Sequence, residues 1–273
     1  MNNSDNFSVT VIGVGNMGSA IVRGMILRGE FTKEHIIICD LDEKKVEKLV
    51  VDLGVKYASS ARKAVEKSDF LILAAKPQSF PGLLSEISQF VNTNQTIMSI
   101  AAGVTTASIE ETIGKQVPVI RVMPNLPALI GKGISVYCRG SYSTDKDINR
   151  AKTVLLSVGK IIEAPESLLD PVTALSGTGP AYIFHTMEAM IQSGIEMGID
   201  REIAVDLVLQ TVLGSAELAM KSKRNISSLR EDVTSKGGTT EAAISYLTKK
   251  KYFETVINAI LEARNRSKEL GEG

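Results

Sequence analysis

The chain has 273 residues, with 31 Lys+Arg against 31 Asp+Glu, so its formal net charge is zero. That balance excludes a strongly basic nucleic-acid binder and a strongly acidic tail protein. Hydrophobic residues make up 44% and charged residues 23%, the mix of a folded soluble protein, and the lack of Trp argues against base-stacking platforms. Cys39 and Cys138 do not make a disulfide framework and fit a reducing cytoplasm. The polar start, residues 1–8, runs into an apolar stretch that Gly13 interrupts, too short for a signal peptide or a membrane span.

The first half alternates. Residues 9–12, 36–39, 70–74, 96–100 and 117–122 are short apolar runs rich in β-branched side chains. Between them lie amphipathic stretches at 16–27, 42–53, 60–67, 83–91 and 108–113. Strands alternating with helices imply βαβ units and a parallel sheet, and near-continuous apolar strands imply that both faces are covered. Strand-like runs at 134–138 and 160–163, flanking a helix at 145–157, extend that pattern. Beyond Pro165 the strand signals vanish, and 167–176, 180–197, 201–221, 227–234, 239–249 and 253–270 read as helices. The chain is therefore α/β in residues 1–165, followed by an all-helical domain in residues 166–273.

The first strand, ending at Ile12, runs into Gly13-Val-Gly-Asn-Met-Gly18 and then a helix. This GxGxxG pattern has a physical logic. Gly13 permits the tight turn, Gly15 leaves room for a pyrophosphate, and Gly18 lets helix and strand pack closely. With Ile12, Asn16 and Met17 beside them, these residues are candidate contacts to a dinucleotide at the helix N-terminus. The second strand ends at Asp40, 22 residues after Gly18. A carboxylate there accepts hydrogen bonds from a ribose 2′-OH and repels a 2′-phosphate, so charge alone favours NADH over NADPH. Three other strand exits carry small or rigid residues: Ala75-Lys76-Pro77, Ala101-Ala102-Gly103 and the proline-fixed loop holding Asn125.

In the helical half, residues 204–220 are apolar around most of the helix circumference. Such a helix must be buried on all sides, and a small helical domain achieves that most readily against a second copy. The run Asp232-Val-Thr-Ser-Lys-Gly-Gly-Thr-Thr240 ends one helix, turns on glycines and starts another, gathering N–H groups and hydroxyls as a carboxylate site would. His35 reads as a surface residue and His185 as a packed one among Phe184, Met187 and Met190. No cluster has metal-ligand spacing, so no metal is expected.

These stretches, GVGNMG, AAKPQ, SIAAGVT, RVMPNLP, DPVTALSGTGPAY and LREDVTSKGGTTEAAISYL, resemble the pyrroline-5-carboxylate reductase family from end to end. The resemblance implies a Rossmann-type dinucleotide-binding domain followed by an all-helical dimerisation domain. It implies hydride transfer from NADPH or NADH to the C=N of 1-pyrroline-5-carboxylate, giving L-proline, in a cytoplasmic homodimer or a larger ring of dimers. It places Ser235, Gly238 and Thr239 at the substrate carboxylate, Thr240 at the ring nitrogen as the catalytic residue, and Glu166 near the substrate. Ala75, Lys76, Pro77, Ala101, Ala102, Gly103 and Asn125 then border the nicotinamide end. The chain departs from the pattern at Cys39-Asp40-Leu41-Asp42, at Ser59-Ser60-Ala61, at Asp232 and at Lys236. A β-hydroxyacid dehydrogenase would share the architecture but need a lysine in the helix at 180–197, which has none. Another cyclic-imine reductase and a silent dinucleotide sensor are the remaining alternatives.

Overall fold

The computed structural model describes residues 7–272; the polar residues 1–6, expected to hold no targeting signal, lie outside these, as does residue 273. The chain divides into two compact units, one of residues up to 178 together with those from 263 on, the other Gly179–Glu262.

In the first unit, β1 (Val9–Ile12), β2 (Ile36–Cys39), β4 (Phe70–Leu73) and β5 (Thr96–Ser99) are buried along their whole length. The two-residue β3 (Lys56–Tyr57) is exposed, and β6 (Val119–Met123), β7 (Gly133–Arg139) and β8 (Gly159–Glu163) complete one sheet of order β3-β2-β1-β4-β5-β6-β7-β8. The helices are α1 (Asn16–Leu27), α2 (Glu43–Leu53), α3 (Ala61–Val65), α4 (Phe80–Ile87), α5 (Thr106–Ile113) and α6 (Asp145–Leu156). One face of the sheet packs with residues of α1, α2 and α6, including Ile21, Leu49 and Val154; the other packs with residues of α3, α4 and α5, including Ala64, Leu84 and Ile109. Helices on both faces explain why the strand sequences are almost continuously apolar.

The sheet departs from the expected parallel pattern at one place. β7 pairs antiparallel with β6, and β8 then pairs parallel with β7. The reason is connection length. Between β6 and β7 the chain has only a short loop and a 3₁₀ turn, Leu126–Ile130, with no crossover helix; α6 supplies the crossover to β8. At the start of α6, Thr144 and Asp147 form a reciprocal capping box, and buried Asp147 also accepts a 2.5 Å hydrogen bond from Thr96.

Residues 166–178, read from sequence as the start of the helical domain, pack with the sheet unit. They form a 3₁₀ turn (Glu166–Leu168), a short α7 (Leu169–Val172) and a π turn (Thr173–Gly177) closed by Thr178 N–H on Thr173 O at 2.8 Å. Leu169 is fully buried beside Val136 and Cys138, which draws this segment onto β7. The second unit contains α8 (Gly179–Glu196), α9 (Arg201–Lys221), α10 (Ile226–Asp232), α11 (Thr239–Lys249) and the first half of α12 (Tyr252–Glu272).

Candidate active site

The exits of β1, β4, β5 and β6 lie side by side because these strands are parallel neighbours. This brings Gly13, Ala75–Pro77, Ala101 and Asn125 to one sheet edge, where ligands of open α/β sheets bind. Gly13 takes φ +98°, its N–H donates to Cys39 O at 2.8 Å, and a Cβ there would stand 2.7 Å from the Ala74 carbonyl. A Cβ on Gly18 would collide with Gly13 O, so the helix approaches the turn as closely as backbone allows. Gly15 differs: a Cβ on it would meet nothing within 4 Å. Gly15 and Asn16 are exposed, Met17 half-buried and Ile12 buried. Gly15 is the N-cap of α1 and offers no side-chain cap, and Ser19 N–H makes the bond to Gly15 O at 2.9 Å. The amides ahead of Ser19 have no carbonyl one turn back. An open cradle lined by uncapped amides fits a pyrophosphate.

Asp40 is fixed at the lip of this turn. One carboxylate oxygen accepts from Val14 N–H at 2.6 Å and the other from Asp42 N–H at 2.9 Å. Lys45 pairs with Asp42 at 3.2 Å, and that hydrogen bond leads the effects that hold the Asp42 carboxyl below its usual range. Asp42 occupies the N-cap position of α2, but its side chain makes no capping bond.

Asn125 and Glu166 are committed to the scaffold. Asn125 accepts from Ile134 N–H at 2.9 Å and donates to Ser176 Oγ at 3.3 Å, so its amide ties the β6–β7 loop to the π turn. Lys76 is exposed ahead of a 3₁₀ turn, Pro77–Ser79. Glu166 belongs to the first unit and uses both carboxylate oxygens: it accepts from Thr106 N–H at 2.8 Å and Thr106 Oγ1 at 2.7 Å, with Arg121 at 3.4 Å.

In the second unit, Ser235, Gly238, Thr239 and Thr240 meet in one tight turn. Gly237 takes φ +73°, and Gly238 N–H donates inward to Ser235 O at 3.0 Å. The Gly237 N–H is held by Glu241 at 2.7 Å. Of the residues expected at the carboxylate, Gly238 therefore has its N–H engaged inside the turn, as does neighbouring Gly237. The amides of Thr239 and Thr240 head α11, whose N-cap Gly238 provides no side chain, and Ala242 N–H closes on Gly238 O at 3.2 Å. Ser235 and Thr239 are exposed and Thr240 is half-buried. Asp232, just before the turn, forms an ion pair with Arg224, the largest influence holding its carboxyl below the usual range.

Several groups play no chemical part. Cys39 and Cys138 are free and buried, and burial pushes their thiols up to about 11 and about 12, which keeps them protonated and inert. His185 is not packed as the sequence suggested: its side chain is 89% exposed on α8, 3.5 Å from Glu188. Among the described residues no group of three His, Cys, Asp or Glu could hold a metal. The sequence reading missed Thr106 and Arg121, which bond Glu166, and Asp170 and Ser267, which continue the network from Arg121. The available signal was a lone arginine inside the apolar run Val119–Met123.

Known proteins share these features across the whole length. Residues 166–270 match the family described as pyrroline-5-carboxylate reductase dimerisation, and residues 8–103 match that of NADP oxidoreductase, coenzyme F420-dependent. The pyrroline-5-carboxylate reductase of Methanosarcina acetivorans is 37% identical over 268 residues, covering 98% of this chain and 99% of its own. That of Arabidopsis thaliana is 36% identical, covering 98% and 97%. The crystal structure of Plasmodium falciparum pyrroline carboxylate reductase with NADP bound superimposes with a TM-score of 0.91 at 31% identity, covering 98% and 99%. On the strength of its turns, its fold and this full-length likeness, the chain belongs to the pyrroline-5-carboxylate reductase family.

Proposed function

We infer that the chain reduces 1-pyrroline-5-carboxylate to L-proline with NAD(P)H, the closing step of proline synthesis. The observation that carries the reading is the open, uncapped head of α1 behind Gly15, which leaves the cradle a pyrophosphate needs. When bound, NAD(P)H supplies the hydride. The protein's own work is placement. The turn at 13–18 and the amides of Asn16 and Met17 hold the phosphates, while Ala75, Lys76, Pro77, Ala101, Ala102 and Gly103 wall the nicotinamide end. Asn125 braces that wall through its bonds to Ile134 and Ser176.

The turn at 235–240 receives the substrate carboxylate on the amides of Thr239 and Thr240 with the Ser235 hydroxyl. The Thr240 hydroxyl then hydrogen-bonds the ring nitrogen. A threonine hydroxyl stays neutral near pH 7, so Thr240 orients the imine and relays a proton rather than acting as a strong acid. A protonated imine is already electrophilic, and alignment of the reacting carbons can supply up to about 7–11 kcal/mol of barrier reduction in ideal cases. Within the first unit, Glu166 accepts from the Thr106 N–H at 2.8 Å, beside the exit of β5.

Asp40 sets cofactor preference. Its carboxylate is locked at the lip of the turn, and Lys45, a cation that could have offset it for a 2′-phosphate, is paired with Asp42. This supports NADH over NADPH. The functional form is a cytoplasmic homodimer through the helical unit, open to assembly into larger rings. Support comes from α9, where Ala204 and Val208 are buried while Leu213 is 54% and Met220 69% exposed. By length and composition α9 could cross a membrane, but a second copy covers such a face equally well. The test is a paired assay. Substrate-dependent oxidation of NADH and of NADPH is followed with pyrroline-5-carboxylate. Oxidation of both, NADH the more efficiently, is expected; oxidation of neither refutes the activity, and a clear NADPH preference refutes the role of Asp40.

A further inference from the structure

The loop that leaves β5 at Ile100 reaches α5 at Thr106 without secondary structure, yet two segments far away in sequence hold it. At Thr106, Glu166 accepts both the backbone N–H at 2.8 Å and the hydroxyl at 2.7 Å. At Gly103, which takes φ +80°, the last turn of α12 presses backbone against backbone. A Cβ on Gly103 would lie 3.0 Å from Gly271 N, and one on Gly271 would lie 2.5 Å from Gly103 O.

The two holders are themselves joined. The Arg121 side chain, 4% exposed in the middle of β6, reaches Glu166 at 3.4 Å and Asp170 at 3.0 Å. The same Asp170 oxygen accepts from Ser267 Oγ at 3.0 Å, and buried Ser267 stands about one helical turn before Gly271. The contacts close a ring: loop, Glu166, Arg121, Asp170, Ser267, Gly271 and back to the loop at Gly103. A buried guanidinium with two carboxylate partners is costly to disturb.

We propose that this ring positions the β5 exit loop against the nicotinamide end of the cofactor, making Glu166, Arg121 and Gly271 positioning residues for dinucleotide binding. The proposal rests on the reading of Ala101 and Ala102 as part of the cofactor wall. It gives Glu166 a task exerted through Thr106, and it gives the end of α12 a part in cofactor affinity.

The experiment compares Ala102→Leu, Glu166→Ala, Glu166→Gln and Gly271→Val in the full-length chain. Readouts are the NADH and NADPH dissociation constants by nucleotide fluorescence titration, KM for each substrate, kcat and thermal midpoint. Glu166→Ala and Gly271→Val, which act from opposite sides of the ring, are each expected to weaken the dinucleotide about tenfold, and in Gly271→Val the KM for the imine stays nearly constant. Glu166→Gln keeps an acceptor for the Thr106 amide and is expected to recover most of the loss. Should Ala102→Leu leave dinucleotide affinity unchanged, the wall reading fails and the proposal with it. Should Ala102→Leu weaken affinity while Glu166→Ala and Gly271→Val lower only the thermal midpoint or the active fraction, the ring is a scaffold alone and the proposal is overturned.

Discussion

The two units are built from similar aliphatic residues and bury them very differently. In the sheet unit, Phe70, Leu71, Ile72 and Leu73 are fully buried between two helical layers. In the helical unit, α8 buries only Gly194, α9 only Ala204 and Val208, and α10 and α11 bury none. Apolar sequence thus announces burial without saying whose atoms provide it. The first unit finds its cover within the chain; the second needs it from outside, which is what a dimerisation element requires.

The sharpest break of this contrast is at α9. Leu209→Glu with Leu213→Glu, one turn apart and half-exposed in the single chain, would carry charge into the seam between copies. Sedimentation is expected to show the dimer dissociation constant raised by about a thousandfold or more, about 4 kcal/mol. A dimer of unchanged strength would place the seam elsewhere. Phe70→Ala, by contrast, is expected to cost about 3–5 kcal/mol in denaturant unfolding of the sheet unit. That cost should not vary with protein concentration; a dependence would mean that the first unit also shares its core.

Function sharpens the comparison next. Thr240→Ala is expected to lower kcat by about a hundredfold. Dinucleotide affinity, a property of the other unit, should hold in a direct titration; equal losses in both would remove Thr240 from the chemistry.

A smaller effect lies at Asp147. Burial pulls its pKa upward, but the Thr144 and Thr96 hydroxyls, the Thr144 amide and Arg150 together hold it below the usual value. A carboxyl depressed in the folded state stabilises above its unfolded pKa, about 3.9, and loses that contribution as pH falls through the folded value. Asp147→Asn should therefore cost about 1–3 kcal/mol at neutral pH and flatten the acid limb of a denaturant-midpoint profile. An unchanged acid limb would show that the capping box carries no pH-linked stability. The smallest signal belongs to the cysteines. Both thiols sit in the sheet unit with raised pKa values, so thiol labelling should be slow and should speed up only when that unit opens.

Local rules made much of this legible. The expected helices 16–27, 201–221 and 239–249 coincide with α1, α9 and α11, because periodicity and end signals agree there. The phosphate turn was legible because its glycine spacing sits between a strand and a helix, although of its three glycines only Gly18 answers a steric demand within a few residues. What escaped depends on distant partners. β3 has two polar residues and exists only because β2 offers an edge. The reversal at β7 is set by loop length, and the π turn at Thr173–Gly177 has no hydrophobic period to betray it. The tight turn at 235–240 could be read, but not that Glu241 and Ser235 would take two of its N–H groups. Nor could local sequence say which carboxylates Arg121 would find, 45 and 49 residues onward.

The two ends of the sheet bear on how copies of the chain meet. An open strand edge is a template on which another molecule can extend the sheet. Here one edge is β3, two residues long and bearing Lys56; the other is β8, with exposed Lys160 and Glu163 in its five residues. Glu163 is further held by Arg139 at 2.9 Å and Tyr137 at 3.0 Å. Brevity at one margin and charge at the other discourage edge-to-edge stacking, so the sheet offers little template for strand addition, the route to fibres.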